Sequence, residues 1–229
     1  IEIPSTVIYG DRTFTVTSIG NDAFNSNYGL KSVTMPNSVI TIGFQSFNSC
    51  KGLTSVIIPN SVISIGDYAF DSCYGLTSLT IGNSVETIGN NAFQYCIGLT
   101  SLTVPNSVTS IGSSAFAKCT SLTSLSIGNS VAFIGDGAFD NCNGLTSVTV
   151  PGSVTDLSRT AFQLCTKLEA INVEPDNPVY RSCDGVVYNK ELTVLFCGPF
   201  NKKSVTVPNT VTTIGYYAFE SCRGLTSVS

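Results

Sequence analysis

Apolar positions return along this chain with a period too long for any single helix or strand. Phenylalanine stands at Phe24, Phe47, Phe70, Phe93, Phe116, Phe139 and Phe162, each 23 residues after the last. One full period reads Leu53-x-x-Val56-x-Ile58-Pro59, then Val62-x-x-Ile65-Gly66, then Ala69-Phe70-x-x-Cys73. The first third alternates and is rich in β-branched residues, so it reads as a short strand that Pro59 ends. The second reads as another short extended piece. The third reads as one or two helical turns, with Ala69, Phe70 and Cys73 on one face. One such unit cannot bury its own apolar side chains, but stacked copies can. The pattern therefore predicts an α/β solenoid of about eight coils, with strands paired in parallel ~4.8 Å apart.

The repeat breaks twice. Residues 1–29 form an atypical first coil with an inserted hairpin around Gly10-Asp11, expected to cover the end of the stack. Residues 174–201 read as a β-hairpin insertion, turning at Asn189-Lys190-Glu191. Otherwise 1–229 reads as a single domain. The opening Ile1 and the unfinished coil at Leu225–Ser229 are expected of a piece of a longer protein.

The composition narrows the function by exclusion. Charged residues make up 11%, the net charge is −4, and 11 Lys and Arg form no dense run, which leaves no nucleic-acid footprint. No apolar run approaches the roughly 20 residues of a membrane span. Histidine is absent, and with it the commonest general base and metal ligand. No paired carboxylates, phosphate-binding glycine loop or serine–base motif stands out, so neither an enzyme nor a cofactor is expected.

Cysteine recurs at Cys50, Cys73, Cys96, Cys119, Cys142, Cys165 and Cys222. Stacked thiols would have parallel Cβ vectors, which disfavours disulfides, and lack the Cys-x-x-Cys spacing of metal sites. They read as buried filling. Between Cys183 and Cys197, in the insertion, a disulfide stays open. The column Ser38, Ser61, Ser84, Ser107, Ser130, Ser153 and Thr210 reads as hydroxyls bonding the backbone of neighbouring coils.

Residues flanking the buried valine of each strand point outward. They give the candidate binding face Ser55, Ile57, Ser78, Thr80, Ser101, Thr103, Ser124, Ser126, Ser147 and Thr149. A solvated hydroxyl surface and a neutral face for a glycan or extended peptide both fit it. Tyr68, Tyr74, Tyr95, Tyr216 and Tyr217 fall in variable slots of the turn and are further candidates.

The motifs Leu-x-Ser-Val-x-Ile-Pro-Asn-Ser-Val-x-x-Ile-Gly and Ala-Phe-x-x-Cys resemble the leucine-rich repeat class of the BspA-like surface proteins. The resemblance covers nearly the whole chain, including Ser182–Lys190. It implies a right-handed leucine-rich-repeat solenoid with a parallel sheet on one face. It also implies a non-catalytic bacterial protein, secreted or at the cell surface, that takes part in adhesion or host-protein binding. The partner is then expected to be an extracellular protein or glycan, met by a monomer. A structural spacer displaying another domain is the alternative.

Overall fold

The computed structural model describes residues 1–220 and 222–229. It is a parallel-strand solenoid of about nine turns, with one apolar cluster running from Ile19 to Cys197 and a smaller one around Tyr188 and Leu195. Leu53, Val56, Ile58, Val62, Ile65, Ala69, Phe70 and Cys73 are all buried, as the period predicts. The phenylalanine rings form a stack of seven, from Phe24 to Phe162. Their centroids lie 5.0–5.6 Å apart and the rings are nearly parallel.

Each extended piece of the repeat forms its own row of parallel strands. The unbroken row is the second: Ser18–Ile19, Thr41–Ile42, Ser64–Ile65, Thr87–Ile88, Ser110–Ile111, Phe133–Ile134 and Asp156–Leu157 make one seven-stranded sheet. The first row, on the Leu-x-Ser-Val strands, is divided into pairs: Ser55–Ile57 with Ser78–Thr80, Ser101–Thr103 with Ser124–Ser126, and Ser147–Val150 with Ala170–Val173.

The expected helical turns are instead chains of β-turns, and no helix occurs among the described residues. Hydrogen bonding gives the reason. The N–H groups of Tyr68, Phe70 and Ser72 donate to Asn90, Ala92 and Gln94 of the next coil. Those of Ala69, Asp71 and Cys73 donate three residues back. Alternate donors are thus spent along the stack, which leaves no run for the i to i−4 pattern of an α-helix. From Asp22 to Asn141 each turn chain places two residues in left-handed backbone, as at Tyr68 (φ 56°) and Ser72 (φ 58°), whereas the chain around Phe162 has one, Leu164; this is the geometry of the third position of a type II turn.

Both irregular regions differ from their sequence reading. The hairpin Thr6–Tyr9 with Arg12–Thr15 forms, but it stands off the stack instead of covering its end. All eight of its residues are exposed, Ile8 at 78% and Tyr9 at 83%. The later insertion is a three-stranded antiparallel meander: Tyr180–Cys183, Val186–Asn189 and Val194–Cys197. Its first turn lies at Asp184 and Gly185, both with positive φ, and its last strand rejoins the stack in parallel with Thr213–Ile214. The middle strand buries Val186, Val187 and Tyr188, so the insertion is part of the core. Asn177 holds it there. This side chain is fully buried and makes four hydrogen bonds. Its Nδ2 donates to the carbonyls of Pro151 and Val154, and its Oδ1 accepts from the N–H groups of Val179 and Tyr180.

Candidate functional site

All ten residues of the candidate face are exposed, with Val56, Leu102 and Val148 buried between them. The fold joins Ser55 to Ser78, Ile57 to Thr80, Ser101 to Ser124 and Thr103 to Ser126 across paired strands. It separates Thr80 from Thr103 and Ser126 from Thr149 by seams where the ladder is open. Ile57, 68% exposed, is the one large apolar side chain among the ten.

The seams follow the repeat position that closes each strand segment, which reads Pro36, Pro59, Gly82, Pro105, Gly128, Pro151 and alternates from Pro59 onward. A Cβ on Gly82 would meet the Pro59 carbonyl oxygen at 2.3 Å, and one on Gly128 would meet that of Pro105 at 2.5 Å. Each glycine coil therefore sits down closely on the proline coil before it. Pro105 and Pro151 carry the Cβ that glycine lacks, so their coils cannot approach Gly82 and Gly128 in the same way. Between Pro59 and Pro151 the structural repeat is thus a pair of coils.

Different side chains tie the two kinds of junction. At the close ones the N–H of Asn83 donates to Asn60 Oδ1, and that of Asn129 to Asn106 Oδ1. At the open ones a serine of the proline coil donates to a carbonyl one coil back, Ser107 to Val85 and Ser153 to Val131, both at 2.7 Å. The structural reading of the serine column therefore holds for the proline coils. In the glycine coils Ser84 and Ser130 are exposed. A groove of about 880 Å³ crosses three coils of this face and is lined by Leu79, Thr80, Ser101, Thr103, Asn106 and Ser126. Its asparagine rim was not singled out from the sequence, although the Pro/Gly alternation that creates the seam is legible there.

The cysteine column is buried, and its chemistry is muted. From Cys50 to Cys165 each thiol donates to the carbonyl of the phenylalanine one coil back, as Cys73 does to Phe47 and Cys165 to Phe139. Burial pushes the thiols of Cys119 and Cys165 up to about 12, and that of Cys142 well above its ordinary value. A thiol that holds its proton so firmly is a poor nucleophile and ligand. Cys183 and Cys197 are both free. They lie on the outer strands of the meander with Val186–Asn189 between them. Among the described residues, no group of three or more His, Cys, Asp or Glu could hold a metal ion, and no helix is long and apolar enough to cross a membrane.

The tyrosines divide. Tyr68 packs edge-on to Phe44. Tyr216 and Tyr217 are 73% and 53% exposed, with their hydroxyls 3.0 Å apart. Tyr74 and Tyr95 meet edge to face and border two lysines.

The family described as BspA type leucine rich repeat region matches in six copies, over residues 17–143, 86–193 and 192–229. No curated protein matches. Among solved structures the chain is similar to a leucine rich cell surface protein of Faecalibacterium prausnitzii, with 34% identity and a TM-score of 0.85 over 99% of this chain and 62% of that one. It is similar to a leucine-rich repeat protein of Bacteroides ovatus, with 30% identity and a TM-score of 0.81 over 100% and 56%. The pneumococcal vaccine antigen PcpA gives 26% identity and a TM-score of 0.73 over 99% and 53%. The chain thus spans 62% or less of the length of these three.

Proposed function

The chain belongs to the BspA-type leucine-rich repeat family, and from that premise we propose that it is a non-catalytic binding module of a bacterial surface. It holds an extracellular protein or a glycan on its hydroxyl-bearing sheet face, as a monomer and without a cofactor. The observation that carries this reading is the groove lined by Thr80, Ser101, Thr103, Asn106 and Ser126. Its hydroxyls and amides can donate and accept, and its walls are built on a fixed stack, so little ordering is needed on binding. Repeat proteins commonly offer such extended faces to large partners. A surface-protein relative supports an extracellular setting.

The test is an array of extracellular-matrix proteins, mucins and neutral glycans, probed with the chain and with Thr103→Arg. That substitution fills the groove from an exposed position and leaves the core alone. The expected result is a ligand whose affinity falls at least about tenfold in the variant, the effect of losing roughly 1.4 kcal/mol. A ligand that binds the variant equally well would remove the groove from the proposal. A blank array would favour the second reading, a rigid spacer displaying another domain. The seven-ring phenylalanine stack suits that role.

A further inference from the structure

A second surface stands apart from the sheet face, on the turn side of the early coils. Tyr28, Lys51 and Tyr74 each follow the cysteine position of their repeat and are 23 residues apart, so they stack in one column. The Lys51 ammonium lies 4.9 Å from the Tyr28 ring centre and 5.5 Å from that of Tyr74. Tyr74 continues edge to face onto Tyr95 at 6.4 Å. Lys118 lies over the Tyr95 ring at 4.4 Å and donates to its hydroxyl. Lys31 joins the cluster, since its Nζ would lie 3.2 Å from a Cβ on Gly52, the neighbour of Lys51. The result is a ridge of three tyrosines and three lysines over five coils, roughly 20 Å long at ~4.8 Å per coil.

Two observations say what such a ridge would take. The first is charge. The chain carries −4 overall, yet the one ion pair among the described residues is Lys202 with Asp184, far along the chain. Lys31 and Lys51 are both exposed and stand in no ion pair among the described residues, and Lys51 faces the rings of Tyr28 and Tyr74 instead of a carboxylate. Lys118 is the ridge lysine with an acid nearby, Asp140. The second is the backbone beneath. The N–H groups of residues 68 to 73 are all spent, alternately on the next coil and within the turn. Tyr28, Lys51, Tyr74, Tyr95 and Lys118 all lie outside the β-strands, so no strand edge is offered here for a peptide to pair with, and recognition falls to ring faces and ammonium groups.

We propose that this ridge binds an acidic glycan in which uronate residues alternate with neutral amino sugars. A sugar's C–H face lies on the Tyr28 and Tyr74 rings, two coil steps apart, while the carboxylate between them meets Lys51 and Lys31 through charge-assisted hydrogen bonds. Tyr95 and Lys118 extend the track by a further repeat. The site is independent of the sheet face.

The test is calorimetric titration with a hyaluronan hexasaccharide. Chitohexaose is the neutral control and polyglutamate the flexible polyanion. The wild-type chain is expected to bind hyaluronan, more weakly as salt rises, and to ignore the other two. Tyr74→Ala and Lys51→Gln, both at exposed positions, are each expected to weaken binding at least about fivefold, the first by removing a ring under the sugar and the second by removing a charge-assisted hydrogen bond to its carboxylate. Both should melt within a degree or two of wild type. Thr103→Arg on the sheet face is expected to bind as wild type does. The proposal is overturned by no binding at millimolar hyaluronan, by equal binding of polyglutamate, or by affinity that survives both ridge substitutions. Loss of binding in Thr103→Arg alone would also overturn it and would move the glycan to the sheet face.

Discussion

Ser46 is the one serine in a column otherwise filled by alanine: Ala23, Ala69, Ala92, Ala115, Ala138, Ala161 and Ala218. It is fully buried, and its hydroxyl has no hydrogen-bond partner. Its backbone is satisfied, because its N–H donates to Gly43 and its carbonyl accepts from Phe24. Ser46→Ala therefore changes one atom of consequence. Folding strips that hydroxyl of water and returns nothing, a cost of about 1–3 kcal/mol. Removing it leaves a gap no larger than one oxygen, in a slot that seven other coils already fill with alanine. The net expectation is a gain of about 1–2 kcal/mol, or about 3–6 °C in melting temperature for a chain of this size. The reciprocal change, Ala92→Ser, places an identical hydroxyl between the same kinds of neighbours and should cost about as much. Urea unfolding followed by circular dichroism measures both, with an unchanged slope showing that the same surface unfolds. If Ser46→Ala is no more stable than wild type, or Ala92→Ser is neutral, the hydroxyl finds a partner in this slot and the reasoning fails.

Other perturbations test other parts of the stack. Gly82→Ala should destabilise by about 1–3 kcal/mol through overpacking against the Pro59 carbonyl, whereas Gly29→Ala, with nothing within 4 Å, should stay within about 0.5 kcal/mol; thermal melts of both decide whether the close junction is real. Asn177→Ala strips four backbone groups of their partner and should cost about 3–5 kcal/mol at roughly 1 kcal/mol per bond, with hydrogen exchange showing the loss first around Val179 and Tyr180. Raising the pH should also weaken the fold. The buried thiols have folded-state values pushed above the ordinary 9.0, to about 12 at Cys119 and Cys165, so the folded chain keeps protons that the unfolded chain releases. Their stabilising effect is complete below about pH 9 and is lost as the pH climbs from there towards 12, by about 1.4 kcal/mol per pH unit for each thiol. Urea midpoints at pH 7.5 and 10 should differ sharply, and Cys119→Ala should flatten the fall; equal slopes in wild type and variant would contradict it.

The periodic positions of leucine, valine, isoleucine, phenylalanine and cysteine determined the stack and nearly all of its core from sequence alone. A repeat that cannot bury itself has few ways to remove so much apolar surface from water. The exposed hydroxyls of the first strand row were legible for the same reason, since alternation along a strand fixes which side chains turn outward. What the tertiary structure decided lies in distances between coils. The turn is not a helix because its alternate N–H groups find carbonyls in the next coil, partners invisible from within one repeat. The first sheet is cut into pairs because Gly82 and Gly128 admit a neighbouring carbonyl where Pro105 and Pro151 exclude one. Asn177 reads as a break in the pattern until the coil below supplies two carbonyls for its amide. Lys51 reads as an isolated charge until stacking places a tyrosine on either side of it. In each case the deciding contact joins neighbouring coils of the stack, and only the closed stack brings its two sides together.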